Sequence, residues 1–126
     1  MAILEHINLT VADAHETASI LEQAFGWRVR WQGKTAQGGW DAVHVGTQDS
    51  YLALFSPGDT TGPAPKRYSR TGTLNHIGIV VPDLEAAEAR VRAAGFTPHA
   101  HHDYEPGRRF YFEGPDGIEY EVVCYA

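Results

Sequence analysis

Apolar and polar positions alternate through "LEHINLTVAD", which begins at Leu4: Ile7, Leu9 and Val11 fall on one side and His6, Asn8 and Thr10 on the other. A period of two predicts a strand with one buried face. The stretch "LNHIGIVVPD" from Leu74 repeats the pattern, with Ile77, Ile79 and Val81 on the apolar side and His76 in the place of His6. Each copy then changes to a helical period. In "AHETASILEQAFGW" the stripe is Ala14, Ala18, Leu21, Ala24 and Phe25; in "LEAAEARVRAAGF" it is Leu84, Ala87, Val91 and Ala94. Asp13, with Glu16 three residues on, and Asp83 are the expected N-caps, and Gly26 and Gly95 the expected stops.

Three more short strands are expected in each half. They are "WRVRWQ", "WDAVHVG" and "YLALF" in the first, and "TPHAHHD", "RRFYFEG" and "IEYEVVCY" in the second, with Pro115-Asp116-Gly117 as a turn. The order predicts an α+β fold of two βαβββ modules, about 1–56 and 74–126, joined by a Pro/Gly-rich connector, 57–73. One module alone would expose its sheet face. The expectation is therefore a single domain, 1–126, built from both.

Composition narrows the partners. A formal net charge of −6 argues against a nucleic-acid surface. No apolar run approaches the roughly 18 residues of a membrane span, and the first residues pass straight into a strand pattern without a signal-peptide design. A cytoplasmic protein is expected. Cys124 is the sole cysteine, which rules out an internal disulfide and suits a small buried hydrophobe.

The chemistry sits on the strand faces turned from the helices. There alternation puts His6 and His76 at the two strand starts, Arg109 and Tyr111 in "RRFYFEG", and Glu119 and Glu121 in the last strand. Curled sheets would make these faces line one cleft. Two imidazoles and a carboxylate form a divalent-metal set that leaves coordination positions open. The same residues also suit two hydrogen-bonded strand-start histidines and a solvated glutamate, and the spacing alone leaves both open.

Together the duplicated strand, the two histidines and "DGIEYEVV" resemble the vicinal oxygen chelate superfamily over the full chain. That family holds glyoxalase I, extradiol dioxygenases, fosfomycin-resistance thiol transferases and metal-free bleomycin-binding proteins. The resemblance implies two βαβββ modules curled into an incompletely closed mixed-sheet barrel around a cleft. It also implies one divalent metal ion (Fe, Mn, Ni, Co or Zn) on His6, His76 and Glu121. "YLALF" aligns Ala53 where glyoxalase I has a glutamate, a departure from its four-ligand set. Tyr111 stands ten residues before Glu121, as in the dioxygenase and fosfomycin groups, and is the expected hydrogen-bond donor or acid/base.

His44 is a second catalytic candidate, and Trp40, Tyr51, Ala53, Phe55 and Arg109 are expected to meet substrate. His99, His101 and His102 are expected in a solvated loop or a hinged lid; Lys66, Arg67 and Arg70 are expected to be solvated. The resemblance implies a metal-dependent enzyme, a dioxygenase, transferase or lyase, acting on an oxygen-bearing small molecule. The alternative it leaves is a metal-free, drug-sequestering protein. Partners are then a small molecule and a second copy of the chain, with the site within one chain or shared across a homodimer.

Overall fold

The computed structural model describes residues 1–58, 65–104 and 107–125 and realises the strand-then-helix pattern twice. Two compact units result, Met1–Thr61 and Gly62–Ala126. The first contains β1 (His6–Thr10), α1 (Ala14–Phe25), β2 (Arg28–Lys34), β3 (Asp41–Gly46) and β4 (Tyr51–Ser56). The second contains β5 (Ile77–Val80), α2 (Leu84–Ala93), β6 (His99–Tyr104), β7 (Gly107–Glu113) and β8 (Glu119–Cys124), with a 3-10 turn at Pro115–Gly117. Each is a βαβββ module, so the α+β class follows. Among the described residues no helix is long and apolar enough to cross a membrane.

Both helices start and stop at the expected residues. Asp13 accepts a hydrogen bond from the Glu16 amide and Asp83 from the Ala86 amide, each at 3.0 Å, which satisfies one of the orphan donors of the first turn. Gly26 ends α1 at φ 70°, a left-handed conformation that glycine adopts without Cβ strain. α2 closes on Gly95, whose amide bonds Arg92 O at 3.0 Å while the Phe96 amide bonds Val91 O at 3.2 Å. The α1 stripe buries Ala14, Ala18, Leu21 and Ala24 together with Thr17, and leaves Phe25 half-buried. α2 buries Leu84, Ala87 and Val91, while Ala94 remains half-buried.

Each unit has one four-stranded mixed sheet, in the orders β1-β4-β3-β2 and β5-β8-β7-β6. The first strand runs parallel to the last, pairing Asn8 with Ala53 and Gly78 with Glu121. The remaining pairs are antiparallel and set His44 beside Ala53 and Tyr111 beside Glu121. Helix-side positions form the cores, with Val43, Val45 and Leu54 in one unit and Phe110, Phe112, Tyr120 and Val122 in the other, all at most 1% exposed. Cys124 is buried, its Sγ 3.6 Å from Pro82 O.

Two departures from strict alternation bear on function. In β2 the register shifts between Val29 and Trp31, so Trp31 pairs with His44 and is turned to the side away from the helix. In β6 the shift falls between His99 and His102, with Ala100 at φ 53°. The histidine segment is the strand expected from "TPHAHHD" rather than a loop or lid. His101 faces α2, bonded to Glu88, and His102 faces the ring of Tyr111 at 6.5 Å. Arg67 is not solvated as expected: it donates to Gly117 O at 3.1 Å and to Glu113 at 2.8 Å.

Candidate functional site

In the second unit the site grows from β8. Alternation sends Tyr120 and Val122 into the core and leaves Glu119 and Glu121 on the opposite face, their side chains only 13% and 14% exposed. Carboxylates so covered need partners. Glu121 Oε2 accepts from the Tyr111 hydroxyl at 3.1 Å and lies 3.6 Å from His76 Nε2. Its Oε1 accepts from Arg109 Nη1 at 3.3 Å. Four of the expected site residues, His76, Arg109, Tyr111 and Glu121, thus meet around one carboxylate.

Glu119 and Arg67 complete this face. Glu119 Oε1 is 3.9 Å from His76 Nδ1, and its Oε2 is 3.5 Å from Arg67 Nη2, which also holds Glu113. His76 Nδ1 is buried without a hydrogen bond among the described residues, so the Glu119 carboxylate is the charge it faces. The alternation of β8 already pointed to Glu119. No periodic signal in the connector could have singled out Arg67.

The first unit carries a different face. His6 Nδ1 lies 2.9 Å from Glu5 Oε1, which also accepts from the Tyr51 hydroxyl at 3.2 Å. The imidazole of His6 stacks on Tyr51 at 4.9 Å, His44 stacks on Tyr51 at 4.7 Å, and the Arg30 guanidinium stands 4.5 Å from the Tyr51 centroid. His6 and the Tyr51 hydroxyl hold the Glu5 carboxyl below the usual carboxylate range. Burial and the neighbouring His6 and Arg30 charges hold His44 below the ordinary histidine value, so its neutral form is favoured. Burial and the Glu5 carboxylate push the Tyr51 phenol up.

Trp40, His44 and Phe55 come together with Trp31 and Ala42 around a pocket of about 440 Å³. Tyr51 stands instead in the His6 stack, and Ala53 is buried in the row between Asn8 and His44. Trp31 was not among the expected site residues; the register shift in β2 sets its side. Arg30, Glu5 and Arg67 were missed as well.

The donor chemistry fits a divalent ion. Nδ1 of His6 is engaged by Glu5 and Nδ1 of His76 faces Glu119, so Nε2 is the nitrogen each ring would offer to an ion. A carboxylate has about four lone-pair sites. Glu121 thus keeps acceptor capacity beyond its bonds to Tyr111 and Arg109. Among the described residues no group of three or more His, Cys, Asp or Glu side chains is gathered to hold an ion.

A family model described as Glyoxalase/Bleomycin resistance protein/Dioxygenase superfamily matches residues 3–122. Solved structures share the fold at low identity. A glyoxylase/bleomycin resistance protein/dioxygenase domain from Frankia sp. EAN1pec is 17% identical, with a TM-score of 0.82 over 100% of this chain and 99% of that one. Glyoxalase I of Leishmania major is 19% identical, with a TM-score of 0.76 over 99% and 88% of the two chains. A genomically encoded fosfomycin resistance protein of Listeria monocytogenes is 19% identical, with a TM-score of 0.74 over 100% and 95%. No curated protein matches by sequence.

Proposed function

The chain belongs to the Glyoxalase/Bleomycin resistance protein/Dioxygenase superfamily, and on that footing we propose that it is a metal-dependent enzyme acting on an oxygen-bearing small molecule. The proposed ligand set is His6, His76 and Glu121. The observation that carries the reading is the convergence of His76, Tyr111 and Arg109 on the covered carboxylate of Glu121. A bound divalent ion would supply Lewis acidity to a substrate oxygen.

Tyr111 has the role of proton donor: its hydroxyl already presents a proton to Glu121 Oε2 and can turn it to a substrate oxygen. The Arg109 guanidinium neutralises Glu121 and offers a planar fork to a substrate carboxylate or phosphonate. His44 stays neutral and is suited to accept a proton, and Trp40 and Phe55 form an apolar wall for the rest of the substrate. Dioxygenation, thiol transfer and lyase chemistry all remain compatible with this donor set. A homodimer, within the cytoplasm, is the proposed setting.

A second reading, a metal-free protein that sequesters a small molecule, is favoured by the aromatic pocket of the first unit. Mass spectrometry of metal content, on protein purified without added metal or a His tag, separates the two. About one divalent ion per chain, absent from His6→Ala/His76→Ala and from Glu121→Ala, supports the enzyme. No metal in any of these, even after soaking with several ions, removes the ligand set and leaves the binder.

A further inference from the structure

The pocket on the β2–β3 hairpin is built around two indoles. Trp31 and Trp40 are 48% and 40% exposed, large aromatic surfaces that the first unit does not bury. Each indole lies close over a glycine. A Cβ on Gly33 would stand 2.8 Å from Trp31 Cζ2, and one on Gly38 would stand 2.6 Å from Trp40 Nε1. The loop beneath is stapled: the Thr35 amide donates to Trp40 O at 2.8 Å, and the Trp40 amide donates to Thr35 Oγ1 at 3.0 Å. Lys34 pairs with Asp41 across the hairpin base. The hairpin backbone that carries both indoles is thereby held in place before any ligand arrives, which lowers the ordering cost of binding.

The rest of the lining sets the ligand's character. Phe55 and Ala42 make the floor apolar, and His44 tilts against Trp31 at 5.0 Å. Lys34, the one formally charged group of the wall among the described residues, is matched by Asp41. A charged guest would therefore meet no unmatched opposite charge, while Gln37 and Thr35 can meet a single polar substituent. A volume of about 440 Å³ lies in the range of small-molecule sites.

We propose that this pocket receives a planar, uncharged aromatic ring against the indoles of Trp31 and Trp40. The inference rests on the reading above that Trp40, His44 and Phe55 meet substrate, and it names the class of substrate; it makes no use of the metal. Flat π-faces stack on indoles, whereas a saturated ring of the same size offers only dispersion and steric bulk.

The test is isothermal titration calorimetry of the full chain with 1-naphthol and with its saturated counterpart decahydro-1-naphthol, in the presence of a chelator and again with added Zn(II). The expected result is one 1-naphthol per chain in both conditions, bound about tenfold or more tightly than the saturated alcohol. Trp31→Ala and Trp40→Ala should each weaken 1-naphthol by about tenfold, with melting curves recorded to confirm folding. Gly33→Ala keeps both indoles, displaces that of Trp31 and should weaken 1-naphthol as well. Equal binding of the two alcohols, no binding of 1-naphthol, or full affinity in folded Trp31→Ala and Trp40→Ala would overturn the inference. Binding of 1-naphthol by protein that takes up no metal would leave it standing while the enzyme reading falls; metal uptake without 1-naphthol binding would do the reverse.

Discussion

The two sheets of this protein are alike on the side that packs against a helix and unlike on the side that does not. Partner by partner, the row Asn8, Ala53, His44 of the first sheet corresponds to Gly78, Glu121, Tyr111 of the second. One row over, Phe55 and Ala42 correspond to Val123 and Arg109. The helix-facing rows are apolar in both, and both helices keep an aspartate cap and a glycine stop. On the opposite side only the leading histidine is common. The first sheet surrounds it with Tyr51, His44 and Arg30; the second surrounds it with Glu119, Glu121, Arg109 and Tyr111. Packing against a helix restricts a position to apolar side chains of fitting volume, while the far side is free to take any side chain whose charge is matched. The same backbone can therefore carry an aromatic face in one copy and an ionic face in the other.

The largest effects are expected on the helix side of the sheets. Leu21→Ala and Phe110→Ala, one in each core, are each expected to cost about 2–5 kcal/mol in chemical denaturation. A loss confined to one of them would mean that the two cores are not equivalent supports. Next come the outer carboxylates. Glu5→Gln and Glu119→Gln should each lower divalent-metal affinity by about 10–100-fold, with little change in melting temperature. An effect from Glu119 alone would show that only the second histidine is oriented by its neighbour. Smaller still, Asp13→Ala and Asp83→Ala should each reduce stability by about 1 kcal/mol through loss of the cap.

The smallest effect concerns acid. The Lys34 ammonium holds the Asp41 carboxyl below its ordinary value of 3.8, so this pair supports the hairpin above that pH and is lost as pH falls through the lowered value. Binding of 1-naphthol should decline over that acid range, and Asp41→Asn should remove that part of the decline.

Much of this was legible because it depends on period. Alternation in "LEHINLTVAD" and "LNHIGIVVPD" and the apolar stripes of both helices determined which faces are buried, and the caps follow from single residues. Alternation also brought His76, Arg109, Tyr111 and Glu121 to one face. What escaped depends on breaks in the period. The bulge beside Arg30 carries Trp31 to the far side, and the left-handed Ala100 separates the directions of His101 and His102. Arg67 escaped because its partners, Glu113 and Glu119, come from the end of the chain and leave no mark on the connector's own composition. Tyr51, expected from parity to meet substrate, stacks its ring with His6 and His44.

His6 and His76 are proposed to bind the same divalent ion. Calorimetric titration of chelator-treated protein with a divalent metal, for the wild type beside His6→Ala and His76→Ala singly, tests it most directly. The expected result is one ion per chain in the wild type and a loss of at least about a hundredfold in affinity in each single variant. Undiminished binding in either variant, or two independent ions per wild-type chain, would contradict it.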